Sequence, residues 1–145
     1  MKKKRNKKYT PYRPKGQSWW TLLTPFTTKE RNEISLDAFS ALTEIEEGRL
    51  TEIHLGIVSG YIRVAHQLCG KLDQSENARE ALIGGYEAFW RIVKRWGLGN
   101  SQDQKDLETL RSTVLLADDI VQLVERHEFI AAANRALKCK IPHTM

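Results

Sequence analysis

With 145 residues, 41% of them hydrophobic, the chain has enough apolar material for one domain with a substantial core and too little for two ordinary ones. No stretch approaches the roughly 20 consecutive apolar residues that a membrane-spanning helix needs. The two cysteines, Cys69 and Cys139, lie far apart within helical patterns, which suits reduced thiols in a cytosolic protein rather than a disulfide framework. The formal net charge of +5 is unevenly placed.

Residues 1–16, MKKKRNKKYTPYRPKG, hold eight cations and no acid, together with two prolines and a glycine. Removing those eight from the 23 Lys and Arg leaves 15 against 18 acids, so the remainder is mildly acidic. Such a like-charge block cannot offset the entropy of ordering it and reads as disordered when free. It lacks the apolar core of a signal peptide, because GQSWWTLLTPFTTKE is interrupted by polar residues and proline. That second stretch concentrates Trp19, Trp20, Leu22, Leu23 and Phe26, an aromatic area expected to clamp onto the body or onto a partner. Residues 1–30 are assigned to an irregular basic arm and 31–145 to a helical domain.

Leu36, Phe39, Leu42 and Ile45 predict a first helix over 35–47, with Ser35 as N-cap and Gly48 just past its end. Thr51 opens a second over 51–72, where Ile57, Val58, Tyr61, Ile62, Ala65, Leu68, Cys69 and Leu72 keep a helical period. Gly56 and Gly60 inside it predict a close helix crossing, which would offset their poor helix propensity. A third helix over 76–96 follows from Ala78, Ala81, Leu82, Gly85, Phe89, Ile92, Val93 and Trp96, stopping at Gly97-Leu98-Gly99.

The longest amphipathic pattern is Ser101–Arg126, read as a fourth helix over 102–126. Leu107, Leu110, Val114, Ala117, Val121 and Val124 form one stripe, widened by Leu116, Ile120 and Leu123, and Ser101 with Gln104 resembles a capping box. A last short helix near 128–138 carries Phe129, Ala132, Ala133, Ala136 and Leu137, either after a bend at His127 or as a continuation. Short connections between these patterns predict an all-α antiparallel bundle of about four main helices plus a short C-terminal one.

Chemistry-bearing clusters are sparse. His66 and Cys69 lie three apart on one helical face, but four ligands are needed for a structural zinc site, and no CxxC or paired HxxxH is present. Asp118 and Asp119 are adjacent, so they point about 100° apart and read as a solvated face rather than an acid/base pair. No nucleophile elbow, phosphate loop or dinucleotide fingerprint occurs. The expectation is a non-enzymatic protein with no catalytic residues, metal or cofactor.

Partner binding is expected at the arm, through Lys2, Lys3, Lys4, Arg5, Lys7, Lys8, Tyr9, Tyr12, Arg13, Lys15, Trp19 and Trp20, with a secondary basic face at Arg91, Lys94 and Arg95. Cations interleaved with tyrosines suit phosphates and stacked bases, and they suit an acidic protein surface equally well. The same run also resembles a nuclear import signal or a solubilising terminus. Protein and nucleic acid both remain open as targets.

RNKKY at residues 5–9 and YRPK at 12–15 resemble the KRNKKYRPK opening of a group of small uncharacterised bacteriophage and prophage proteins. From Gly48 onward the layout is similar to that group as well: a Thr-initiated apolar helix, a second helix, a Gly break, and two further helices. The resemblance implies a phage accessory origin, a small all-helical body and the bacterial host cytoplasm. It implies no catalysis.

Overall fold

The helix-forming segments meet around the one helix apolar enough to be surrounded. A computed structural model describes residues 27–71 and 75–138. Among them are five α-helices and no strand: α1 Thr28–Glu46, α2 Glu52–Leu68, α3 Ser75–Gly97, α4 Gln104–Val121 and α5 Arg126–Lys138, with a single 3-10 turn at Cys69–Lys71 after α2. The all-α expectation holds for these residues. Helix α2 packs against each of the other four, while α1 and α3 also pack on α4.

Local chemistry fixes the helix ends. Thr27 caps α1 through a capping box, its hydroxyl accepting from the Glu30 N–H and the Glu30 carboxylate from the Thr27 N–H. Thr51 does the same for α2 with His54 in the acid's place, Nδ1 accepting from the Thr51 N–H at 3.1 Å. After α1 the chain turns at Gly48 with φ +80°, a left-handed conformation that costs a residue with a Cβ about 1 kcal/mol or more.

Several sequence expectations are corrected. Helix α1 starts seven residues before Ser35, which sits inside the helix rather than capping it. Its buried stripe is Ala38, Ala41, Leu42 and Ile45, so Leu36 points outward at 65% exposure. Helix α4 is capped by Asp103, which accepts from the Lys105 N–H at 3.0 Å, not by Ser101. That helix ends at Val121, so the bend precedes α5 at residues 122–125 instead of at His127. Leu123, in that bend, is exposed, whereas Val124 is buried. The last helix is therefore separate from the fourth.

The bend is held from outside. The Arg31 guanidinium of α1 donates to the carbonyl oxygens of Gln122 at 2.8 Å and Val124 at 3.0 Å, satisfying groups that the end of α4 leaves open. Glu30 pairs with the buried Arg126 at the start of α5. Contacts between α3 and α4 run in opposite directions along the two helices: Gln102 reaches the Ile92 carbonyl, Arg91 reaches Asp106, and Gly85 meets Thr113.

The close crossing lies at that last pair. A Cβ on Gly85 would fall 1.8 Å from Thr113 Oγ1, so the backbone of α3 touches the α4 side chain there. By contrast, no atom of another helix lies within 4 Å of a Cβ built on Gly56 or Gly60. The predicted crossing at those two glycines is absent, and their face of α2 is open.

Candidate partner-binding surface

The open face begins with the sequence of α2. Between Ile53 and Tyr61, IHLGIVSGY has His54 as its sole ionisable side chain ahead of the tyrosine, and only part of this apolar content goes inward. Leu55, Val58, Tyr61 and Ile62 are buried, whereas Ile53 is 73% and Ile57 37% exposed. From Ile53 to Ser59 this partly uncovered helix face carries no Asp, Glu, Lys or Arg, with Glu52 and Arg63 at the ends of the strip.

Two grooves flank this face and meet at Gly56. The first, about 340 Å³, lies between α2 and the C-terminal half of α3, with Leu55 and Ser59 on one side and Trp90, Val93 and Trp96 on the other. Its α3 wall is stiffened by aromatic packing, with Phe89 and Trp90 edge to face at 5.6 Å and Tyr86 stacked on Phe89 at 5.9 Å. Trp96 remains 39% exposed at the mouth, and Leu98 is exposed just beyond it. The second groove, about 300 Å³, lies between α2 and α5, bordered by Gly60, Val64, Ala133 and Leu137. The missing side chains of Gly56 and Gly60 leave this space open. An apolar surface of this kind, with rigid aromatics at its edge, has the composition of a protein contact.

Several polar groups of the body join its helices. Asp118 of α4 accepts from the Ser35 hydroxyl at 2.5 Å and the Tyr61 hydroxyl at 2.6 Å, and the Gln122 amide donates to Ser35 at 2.9 Å. The reading of Asp118 as part of a solvated face is thus corrected: it joins α1, α2 and α4. Burial, and then the Asp118 carboxylate, push the Tyr61 hydroxyl well above the ordinary tyrosine range, so it remains a donor. Asp119 is exposed. Cys69 is fully buried and its Sγ donates to the His66 carbonyl at 3.1 Å. No group of three or more potential metal-ligating residues occurs among the described residues.

His66 gives the fold a pH dependence. Burial, and then the charge of Arg79, lower its pKa below the ordinary histidine value, so the folded protein favours the neutral ring. The unfolded chain takes up that proton first as the pH falls below about 6.5. The stability contributed by neutral His66 is therefore complete above that pH and declines as the pH falls through it toward the folded-state value. Thermal midpoints should drop between about pH 7.5 and pH 5.5, and His66→Gln should flatten that part of the curve. Glu30 adds a second loss at lower pH. The Thr27 N–H, and then Arg126, hold its carboxylate below the ordinary glutamate range.

Of the residues predicted from sequence to bind a partner, Lys2, Lys3, Lys4, Arg5, Lys7, Lys8, Tyr9, Tyr12, Arg13, Lys15, Trp19 and Trp20 lie outside the described residues, as does Phe26. The secondary basic face is on α3, where its members have different surroundings. Arg91 donates Nε and Nη2 to Asp106 at 3.0 Å, a pair in which the aspartate is buried and the arginine half exposed. Arg95 donates to the Ser101 carbonyl at 3.1 Å, and Lys94 is exposed. Two of the three cations thus serve the α3–α4 connection.

The α2 face was not among the sequence-predicted sites. Its signal was present in the absence of charge from Ile53 to Ile57 and in the two glycines, but that pattern also describes a buried crossing. No helix of the described residues is long and apolar enough to cross a membrane. No family model, curated protein or solved structure matches the chain.

Proposed function

We propose that the chain is a non-enzymatic, phage-encoded accessory protein that acts in the bacterial host cytoplasm by occupying the surface of a host protein. In this reading the antiparallel bundle presents the open α2 face, and the basic arm adds electrostatic attraction. The observation that carries it is the exposed apolar strip of Ile53 and Ile57 beside the Trp96 groove. Apolar side chains at helical spacing are the anchors of helix-in-groove contacts, and tryptophan is among the residue types that dominate binding energy at interfaces. The phage origin and the host compartment rest on the resemblance of RNKKY and YRPK.

The alternative is a nucleic-acid-binding protein using the Lys/Arg-rich tail on phosphates, favoured by the eight cations of residues 1–16. The two readings separate in one experiment. Affinity capture from host lysate is run with and without nuclease, using the wild-type chain, Ile53→Asp/Ile57→Asp, and a deletion of residues 2–16. A single protein that survives nuclease and is retained about tenfold less well by the double variant supports the host-protein reading. The thermal midpoint of that variant should stay near wild type, because both side chains are already partly in water. Retention that disappears with nuclease and with the deletion, and ignores the α2 variant, supports the tail on nucleic acid. In that case log K should vary with log salt by about −0.7 to −0.9 per phosphate contact.

A further inference from the structure

We infer that residues 139–145, CKIPHTM, fold back in cis along the open face of α2, with Ile141 over the strip at Gly56 and Lys140 paired to Glu52. The chain then carries a tethered cover for its own contact surface. The docking stands by itself, and only what it regulates rests on the binding role proposed above.

Helix α5 delivers this segment to the face. Helices α1 and α2 are joined by a short connection, and Ser35 and Tyr61 meet on Asp118, so the two run antiparallel and the start of α1 is level with the end of α2. Helix α5 begins at that level, where Arg126 pairs with Glu30. It finishes toward the other end of α2, with Leu137 lining the groove beside Ile57 and Gly56. Along the way it is firmly seated, because Phe129 and Ala133 pack on the core and Arg135 donates to Gln67 at 3.3 Å. The residues that follow Lys138 are therefore aimed at Ile53 and Glu52. From Ile57 back to Glu52 is a rise of about 7.5 Å along the helix. Seven extended residues span about 23 Å, enough to cross that strip and enter the Trp96 groove.

The chemistry of the segment complements the face. Ile53 and Ile57 are exposed apolar side chains, and the glycines leave room above the backbone, since no atom of another helix lies within 4 Å of a Cβ at Gly56 or Gly60. Cys139, Ile141 and Met145 fall on one side of an extended chain, with His143 among them. Pro142 lacks an N–H and holds the residue before it to extended backbone, which suits a segment laid in a groove rather than another helical turn. Charge sets the register. The exposed Glu52 carboxylate edges the Trp96 groove and has no hydrogen bond or ion pair within the described residues. The segment offers Lys140 and no acid, and a lysine stem can lie across apolar surface while its ammonium reaches a carboxylate at the edge. Tethering makes a weak contact sufficient: at an effective concentration of about 1 mM, an intrinsic Kd of about 1 mM leaves the face covered about half the time.

Methyl and indole NMR of the full-length chain, with no host protein present, tests the docking. Ile141→Asp and Lys140→Glu lie outside the core, and each should move the Ile53 methyl and Trp96 indole signals along a common line toward their uncovered positions. The methyl signals of Leu36 and Leu115, exposed on α1 and α4, should stay where they are. Adding Glu52→Lys to Lys140→Glu should return the Ile57 methyl signal toward its wild-type position. Ile53 and Trp96 signals that ignore Ile141→Asp would overturn the inference. It is also overturned if they answer instead to Trp19→Ala/Trp20→Ala, which gives the face to the N-terminal aromatic stretch, or to protein concentration alone, which gives it to a second copy. A Lys140→Glu shift that Glu52→Lys leaves unchanged removes the proposed ion pair. In the host capture experiment Ile141→Asp should raise retention about twofold, because a cover present half the time halves the apparent affinity. Shifted spectra without any captured protein support the docking and count against the host reading alone.

Discussion

Leu68→Asp and Val114→Asp should each abolish the cooperative thermal transition of the helical body. Leu68 ends α2 and Val114 is in the middle of α4, and both side chains are withdrawn from water among other apolar groups. A carboxylate placed there has no cation or donor built to receive it, so it is either ionised without a partner or neutral at the expense of a large pKa shift. Together with the lost apolar contact, the cost is about 4–5 kcal/mol or more, against a total stability of roughly 5–15 kcal/mol for a domain. Leu36→Asp and Leu123→Asp are the matched controls. The sequence stripes put both in the core, but both are exposed, so each should stay within about 0.5 kcal/mol of wild type. Circular dichroism melts of the four variants measure this. Wild-type midpoints for Leu68→Asp and Val114→Asp would show that the packing of α2 and α4 is wrong.

The contrast between those pairs marks how far the fold was legible. Helices α2 and α3 were readable to within a few residues because their apolar period is uninterrupted and a threonine cap or glycine stop flanks them. The start of α1 was written in the sequence as Thr27-Thr28-Lys29-Glu30, but TKERNE carries no apolar residue to announce a helix. That turn is held instead by groups remote in sequence, Arg31 on the Gln122 and Val124 carbonyls and Glu30 on Arg126. The end of α4 was hidden for the same reason. No glycine or proline marks it, the apolar spacing continues to Val124, and the group that satisfies the open carbonyls comes from another helix. Asp118 looked solvated because adjacent helical carboxylates usually are, and only the arrival of Ser35 and Tyr61 from two other helices gives it partners.

The candidate surface was less legible than the fold. A glycine inside a helix signals either close packing or an absent neighbour, and the sequence does not distinguish them. Gly85 and the Gly56/Gly60 pair fall on opposite sides of that choice. Periodicity likewise places Ile53 and Ile57 near the edge of the α2 stripe without saying whether another helix reaches them.

Gly85→Ala should therefore have an effect out of proportion to one methyl group. In an open helix this change is worth up to about 1 kcal/mol of stability, because alanine has the better helix propensity. Gly84→Ala provides that reference, since nothing lies within 4 Å of its added Cβ. At Gly85 the new carbon would lie 1.8 Å from Thr113 Oγ1, 2.4 Å from Cγ2 and 2.5 Å from Cβ. Rotation of Thr113 can move the first two atoms, at the expense of the 2.8 Å hydrogen bond from its hydroxyl to the Thr109 carbonyl. It cannot move the third, so α3 and α4 must separate. Overpacking of this kind costs about 1–3 kcal/mol and sometimes more, enough to lower the thermal midpoint by about 4 °C or more. Rescue should follow the geometry. Thr113→Ala leaves the Cβ contact at 2.5 Å and restores only part of the loss in the Gly85→Ala background. Thr113→Gly removes these three atoms and should restore more, although it brings its own helix penalty of about 1 kcal/mol. A double-mutant cycle measures the coupling directly, and additive effects of Gly85→Ala and Thr113→Gly would show that the two helices do not meet at this point.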